Sequence, residues 1–197
     1  FMATKDGTVK KTELQEFSRP RKGGIRAIGL DEGDTLVGVK YTAGDQEIIL
    51  ATKEGSANRF NEQDVRSMGR AAGGVRGIRL DADDEVIGML AADEGMNILT
   101  ITEKGYGKRT PVAEYRLCNR GGKGVTNIKI TDKNGPVKAV MLVNGKEELM
   151  VVSKEGQGIR MKCSDISIIG RATQGVRIMK LTEGDQVAAA AQMVVEE

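Results

Sequence analysis

The side chains of this sequence that could do chemistry are lysines and arginines, many of which recur at one place in a repeated unit. A base follows each of four turn glycines by four residues; these bases are Lys11, Arg59, Arg109 and Arg160. Bases beside them are Lys10, Lys108 and Lys162. Cationic side chains repeated in register suit a row of phosphates, so the pattern predicts a surface that binds a nucleic-acid backbone.

A second group of bases stands before a second repeated glycine. Its members are Arg19, Arg21, Lys22, Arg66, Arg70, Arg120, Lys123 and Arg171. The acidic residues collect instead in the turn that follows this glycine, for example at residues 31–34 and 81–84. We therefore expect a basic rim and a separate acidic edge. The alternative is that these charges only face water and keep the protein in solution.

Catalytic chemistry finds little support in the composition. Histidine is absent, which removes the commonest general base and most zinc sites. Cys118 and Cys163 are isolated thiols without metal-ligand spacing, which favours a reducing, cytoplasmic location. We therefore expect a protein with no catalytic and no metal-binding residues. The formal net charge is only +2, so nucleic-acid binding must depend on where the charges lie.

The elements that position these bases belong to a repeat of about 50 residues. One set of turn glycines, Gly7, Gly55, Gly105 and Gly156, is spaced by 48, 50 and 51 residues. The second set, Gly24, Gly74, Gly124 and Gly175, is spaced by 50, 50 and 51. Two anchors with one period define repeats of about 1–47, 48–97, 98–148 and 149–197, which we treat as one domain.

Each repeat contains four short apolar or alternating segments separated by turn residues. This pattern predicts an all-β, propeller-like array of about four four-stranded blades. Helical periodicity is lacking, and residues 62–68 could form one helical turn at most. The chain has no tryptophan, so small and aliphatic side chains must fill the space between blades.

The residues that are missing indicate which nucleic acid would bind. Aromatic residues make up only 3% of the chain, too few for a stacking platform for single strands in every repeat. We expect Tyr41, Tyr106 and Tyr115 to be packing residues. A helix for the major groove is also lacking. The sequence therefore predicts backbone contacts to duplex DNA, bending, and little sequence preference.

Three segments resemble the C-terminal DNA-wrapping domain of the bacterial DNA gyrase A subunit. They are residues 105–115, residues 65–80 and residues 168–176. The resemblance implies a β-pinwheel, in which neighbouring blades exchange strands, and duplex DNA bent around a basic rim. It also implies a bacterial, chromosome-associated type II topoisomerase that uses ATP and Mg²⁺ elsewhere to introduce negative supercoils. The implied partners are the gyrase B subunit, together with the N-terminal region of the gyrase A subunit.

One departure from the family pattern is the marker heptapeptide of the first blade, Gln-Arg-Arg-Gly-Gly-Arg-Gly. The nearest equivalent is residues 119–124. This segment is either a loop that contacts DNA or a glycine-rich connection without special function. We therefore expect the chain to be roughly the last four blades of about six.

Two other functions remain open from the sequence. One is the corresponding domain of the topoisomerase IV A subunit, and the other is a propeller that only binds proteins. If the basic rim binds DNA, reversing Lys108 and Arg109 should weaken binding and leave stability nearly unchanged.

Overall fold

The computed structural model describes residues 1–193, whose strands form four antiparallel sheets. The first sheet contains, in spatial order, β3 (Leu36–Val39), β1 (Met2–Thr4), β2 (Thr8–Lys10) and β6 (Val75–Arg76). The second contains β7 (Val86–Ala91), β4 (Glu47–Thr52), β5 (Ser56–Asn61) and β10 (Val125–Thr126). The third contains β11 (Val137–Val143), β8 (Asn97–Thr102), β9 (Tyr106–Pro111) and β14 (Val176–Arg177).

The fourth sheet has three strands within the described residues: β15 (Val187–Met193), β12 (Glu148–Ser153) and β13 (Gly158–Lys162). A short 3-10 helix follows the second hairpin strand of every repeat. These helices are Leu14–Phe17, Glu62–Asp64, Val112–Glu114 and Cys163–Asp165. The prediction of an all-β array is confirmed, and the single helical turn allowed within residues 62–68 is the 3-10 helix Glu62–Asp64, which has counterparts in the other repeats.

Each of the first three sheets is completed by a strand from the following repeat. The register pairs Thr8 with Arg76, Ser56 with Thr126 and Tyr106 with Arg177. This exchange of strands distinguishes a pinwheel from a propeller with self-contained blades, and it confirms the expected fold. Consecutive repeats are thus joined by backbone hydrogen bonds as well as by packing.

The hydrophobic core is divided into three clusters, one between each pair of neighbouring sheets. Phe60 and Met89 lie in the first cluster, Ile98 and Tyr115 in the second, and Leu149 and Met179 in the third. Because a four-stranded sheet buries its faces only against a neighbour, stability comes from nearest-neighbour contacts.

The repeated glycines lie where neighbouring repeats meet. At Gly124 φ is +76°, and an added Cβ would lie 2.2 Å from the Ala57 carbonyl oxygen in the preceding repeat. At Gly105 φ is +77°, and a Cβ would lie 2.5 Å from the Met179 carbonyl oxygen in the following repeat. Both positions therefore require glycine for backbone conformation and for close approach. The glycines therefore recur in the sequence with the same spacing as the contacts between neighbouring repeats.

The order of strands gives the array an inner and an outer edge. Strands β3, β7, β11 and β15 contact one another in succession and form the inner edge. The exchanged strands β6, β10 and β14 lie at the opposite end of their sheets and form the outer edge.

Candidate nucleic-acid interface

The bases four residues after the turn glycines, here called the hairpin bases, are Lys11, Arg59, Arg109 and Arg160. The structure does not place them as one exposed row. Arg59 and Arg109 are each only 7% exposed, Lys11 is half-buried and Arg160 is exposed. The prediction that all four are surface bases is therefore wrong for Arg59 and Arg109.

The buried hairpin bases connect each repeat to the 3-10 helix of the next one. Arg59 Nη1 donates to the carbonyl oxygen of Tyr115 at 3.0 Å. Arg109 donates to the carbonyl oxygens of Ile166 at 2.7 Å and Ser164 at 3.0 Å. Lys11 Nζ donates to the Glu62 carbonyl oxygen at 3.1 Å. Backbone carbonyls at the end of a helix lack partners within the helix, and Arg59 and Arg109 satisfy those of Tyr115 and Ile166.

Arg59 also holds two carboxylates. Its Nη2 lies 2.5 Å from Glu47 Oε2 and 2.8 Å from Glu94 Oε1. Burial opposes the charge, but hydrogen bonds to Glu94 and Glu47 outweigh it and raise the pKa of Arg59. Arg160 contacts only Glu148 through its side chain within the described residues.

Lys10 and Lys108, here called the latch lysines, are fully buried. The ammonium group of Lys10 donates to the carbonyl oxygens of Ala27 at 2.8 Å and Arg70 at 2.5 Å. That of Lys108 donates to those of Gly170 and Arg171, both at 2.7 Å. The prediction that they face DNA is wrong, because their charged atoms point inward and bind backbone carbonyls, of the next repeat for Lys108 and of both its own and the next repeat for Lys10.

Burial disfavours the charged form of both latch lysines. It lowers the pKa of Lys108 to about 8, with the charge of Glu114 opposing the shift. It also lowers the pKa of Lys10, and the charge of Arg70 adds to that effect. Asn58 takes the corresponding position in the second repeat and donates to the Asn119 carbonyl oxygen at 3.3 Å. Polar donors in three repeats thus fix the loop that follows in the next repeat.

The loops fixed in this way carry Arg70, Arg120 and Arg171, here called the loop arginines. The Nη1 atom of each one donates a hydrogen bond to a backbone carbonyl of the preceding repeat. Arg70 donates to Arg26 at 3.3 Å, Arg120 to Arg76 at 2.6 Å, and Arg171 to Thr126 at 2.9 Å. All three side chains are half-buried. Their guanidinium groups retain donors and lie beside the outer edge.

The remaining predicted bases are exposed. Arg19, Arg21 and Lys22 lie in the loop after the first 3-10 helix, and Arg66 lies just after the second. Lys162 ends β13, and Lys123 forms an exposed ion pair of 2.7 Å with Asp81. The segment 119–124 is tied to the preceding repeat, because the Gly121 amide donates to the Gly77 carbonyl oxygen and the Gly122 carbonyl accepts from the Arg79 amide.

Sequence reasoning missed the bases that lie closest to the outer edge. Arg76 and Arg177 end β6 and β14, Arg26 takes the same position in the first repeat, and all three are exposed. We call them the outer-edge arginines. Arg79, Lys129 and Lys180 are also exposed in register, three residues further on. The sequence contains a pattern that could have identified them, since each outer-edge arginine stands two residues after the second repeated glycine.

The acidic turns cap the hairpin turns. Asp34 Oδ1 accepts from the Asp6 amide at 3.0 Å, and Asp84 Oδ1 accepts from the Glu54 amide at 2.9 Å. Asp185 Oδ1 accepts from the Glu155 amide at 3.1 Å. These carboxylates therefore hold the ends of the hairpins together.

The tyrosines and cysteines have different surroundings. Tyr115 is fully buried and Tyr106 is 7% exposed, whereas Tyr41 is 78% exposed, so the expectation of a packing role is wrong for Tyr41. Both cysteines are free thiols. Within residues 1–193 no group of three or more acidic, cysteine or histidine side chains is placed to hold a metal ion. In the same part of the chain no helix is long and apolar enough to cross a membrane.

Comparison with known proteins gives a consistent result. A model of the family described as "DNA gyrase C-terminal domain, beta-propeller" matches residues 1–43, 46–93, 97–144 and 147–192. The DNA gyrase A subunit of Halalkalibacterium halodurans is 57% identical over the whole chain, and that of Klebsiella oxytoca is 47% identical over 96% of it. The chain covers 24% and 22% of these two relatives, respectively, so it spans about a quarter of their length or slightly less.

Solved structures extend the comparison to the fold. The structure of a DNA gyrase A C-terminal domain matches with a TM-score of 0.86 and 28% identity, covering 98% of this chain and 64% of that one. The C-terminal domain of a DNA topoisomerase IV matches with a TM-score of 0.91 over 97% of this chain and 60% of that one. The second match, at 24% identity, shows a common fold.

Proposed function

The chain belongs to the family of DNA gyrase C-terminal domains, and on that premise we propose that it binds duplex DNA along its outer edge with little sequence preference. The observation that carries the proposal is the exposed row formed by the outer-edge arginines, with the loop arginines beside it. Guanidinium groups bind phosphate oxygens well because their donors form a planar fork. Such a row would neutralise phosphates at intervals along the DNA backbone.

The arrangement favours contact with the backbone over reading of bases. The helices of the described residues are four 3-10 segments of three or four residues, too short to enter a major groove as a recognition helix. Bases that recur from one sheet to the next lie along a curved array, so DNA that contacts several of them must bend. Bending costs about 1–6 kcal/mol for a short site, and each added phosphate contact offsets part of that cost.

We further propose that this chain is the non-catalytic, DNA-wrapping part of a gyrase A subunit. The full enzyme would be an ATP-dependent type II topoisomerase of the bacterial cytoplasm, with the gyrase B subunit, together with the N-terminal region of the gyrase A subunit, as partners. Identities of 47–57% to curated gyrase relatives support this assignment over topoisomerase IV. ATP and Mg²⁺ would act in those other parts.

The test is a salt titration of binding to a duplex of mixed sequence, followed by fluorescence anisotropy. The logarithm of the affinity should fall linearly with the logarithm of salt concentration, with a slope of about −0.9 per phosphate neutralised. A single strand of equal length should bind more weakly. A flat salt response, or no binding, would favour a protein-interaction scaffold instead.

A double charge reversal identifies the surface. Arg26→Glu with Arg76→Glu changes two outer-edge arginines whose side chains form no hydrogen bond or ion pair within residues 1–193. We expect affinity for duplex DNA to fall at least tenfold and the salt slope to become shallower by about one for each phosphate that is no longer neutralised. Lys40→Glu with Lys146→Glu, beside the inner edge and in the turn after β11, makes the same charge change and should have little effect. Equal losses from both variants would contradict the proposed surface.

A further inference from the structure

The hairpin turn of the third repeat lies beside a cavity of about 490 Å³. Its lining includes Lys104, Tyr106, Lys133, Arg177, Lys180 and Asp185. Four of these six residues are cations with exposed side chains, and one is a carboxylate. The cavity lies where the third and fourth repeats meet, since Arg177 is on the strand that the fourth repeat contributes to the third sheet.

Tyr106 organises two of the cations. Lys133 Nζ lies 5.5 Å from the centroid of its ring, and Arg177 Cζ lies 5.7 Å from it. Arg177 Nη2 also donates a hydrogen bond of 3.1 Å to the Tyr106 hydroxyl oxygen. Cations are attracted to the face of an aromatic ring, so the ring holds two positive side chains at the cavity without neutralising either.

At two positions of this hairpin end the other repeats carry acidic residues and the third repeat does not. Immediately before the turn glycine they carry Asp6, Glu54 and Glu155, where the third repeat has Lys104. In the neighbouring turn they carry Asp34, Asp84 and Asp185, where the third repeat has the neutral Asn134. Lys133 adds a further positive charge to the third turn. Glu103 in turn stands where the other repeats have Lys5, Lys53 and Lys154, so the third hairpin end is less acidic than its counterparts and places two lysines, Lys104 and Lys133, at the cavity.

Asp185, the carboxylate in the cavity lining, is hydrogen-bonded through one oxygen, and its Oδ2 has no hydrogen-bond partner within the described residues. Asp185 Oδ1 accepts hydrogen bonds from the backbone amides of Glu155 at 3.1 Å and Gln186 at 2.7 Å. Although burial opposes ionisation, hydrogen bonds from Ser153 and from backbone amides lower the pKa of Asp185. It therefore stays negative while capping its own hairpin, and it offsets only one of the four positive charges.

We propose that this cavity is a phosphate-binding site. Four cations, two of them oriented by Tyr106, would surround an anion that carries more than one negative charge. A cavity of this volume is large enough for a diphosphate or triphosphate group. The phosphate has two possible sources: the backbone of DNA that passes Arg177 at the outer edge, or a free polyphosphate.

The experiment measures two ligands, inorganic tripolyphosphate by calorimetry and a mixed duplex by anisotropy. The variant Lys104→Glu with Lys133→Asp introduces side chains that the second repeat carries at the equivalent positions, Glu54 and Asp83. Lys40→Glu with Lys146→Glu is the control of equal charge change. Lys133→Gln, with an unchanged thermal midpoint, guards against misfolding of the double variant.

We expect the double variant to bind at least one ligand about tenfold more weakly than the wild-type chain, and the control to change by less than about twofold. A loss for tripolyphosphate alone assigns the site to a free polyphosphate, and a loss for the duplex identifies a DNA phosphate. The proposal is overturned if the double variant and the control bind both ligands equally well. The tripolyphosphate measurement does not depend on DNA binding, so the site and the proposed function can fail separately.

Discussion

Two sets of bases repeat with the same period in this molecule and have opposite surroundings. The hairpin bases Arg59 and Arg109 are buried against the next repeat, whereas the outer-edge arginines Arg76 and Arg177 face water. Repetition in register therefore identifies a shared role without saying which role it is. In one set that role is to join repeats, and in the other the side chains remain available to a ligand.

The fourth repeat supports this distinction. Arg160 occupies the hairpin position in the fourth repeat, and the described residues contain no 3-10 helix of a following repeat for it to reach. It is exposed and contacts Glu148 within its own sheet. Likewise, Ile159 stands where Lys10, Asn58 and Lys108 reach the following loop. Polar donors are thus present at this position in each of the three repeats whose following loop lies within residues 1–193.

The largest change in stability that would test the comparison between buried and exposed bases is expected from Lys108→Glu with Arg109→Glu. The sequence alone predicts unchanged stability for this variant, but the structure predicts a loss of about 3–5 kcal/mol, because two carboxylates would face buried carbonyl oxygens. The denaturation midpoint in urea measures the loss. Arg160→Glu is the exposed control, and a wild-type midpoint for the double variant would show that the buried cations are dispensable.

A smaller effect should come from neutralising one residue of each set. Arg59→Gln should cost about 1–3 kcal/mol of unfolding free energy, since carbonyl oxygens and carboxylates lose their donor. Arg76→Gln should change stability by less than about 0.5 kcal/mol and lower the affinity for DNA severalfold. Urea denaturation and anisotropy together measure both. The distinction between the sets fails if Arg59→Gln reduces DNA affinity as much as Arg76→Gln without loss of stability.

A third effect is a pH dependence of the contribution that Lys108 makes to stability. The pKa of Lys108 is about 8 in the folded chain and near 10.4 when unfolded. Because the unfolded state binds the proton more tightly, the contribution of Lys108 to stability is lost as the pH falls through 8 and is full above 10.4. The free energy of unfolding of the wild-type chain minus that of Lys108→Met should therefore increase from pH 8 to pH 10. If this value decreases over the same range, the pKa of Lys108 is not lowered by burial.

The fold was accessible from the sequence because its determinants are local. A turn glycine at positive φ and alternating apolar residues are visible in any one repeat. The exchange of strands came only with the family resemblance, since the two-residue strands β6, β10 and β14 carry too little pattern to indicate their partner sheet. The sequence was a poorer guide to which bases are exposed to a ligand, and the buried Lys10 and Lys108 are the clearest example.

The sequence by itself determined the period, the all-β class, the absence of histidine and the places where bases recur. Only the tertiary structure decided which bases are buried, because burial depends on what the following repeat brings to each side chain. Lys108 is enclosed by carbonyl oxygens 62 and 63 residues further along the chain, and Tyr106 meets Arg177 71 residues away. Contacts between repeats are long-range in sequence, so a charge that looks exposed within one hairpin becomes a joint or a binding site once the neighbouring repeat is in place.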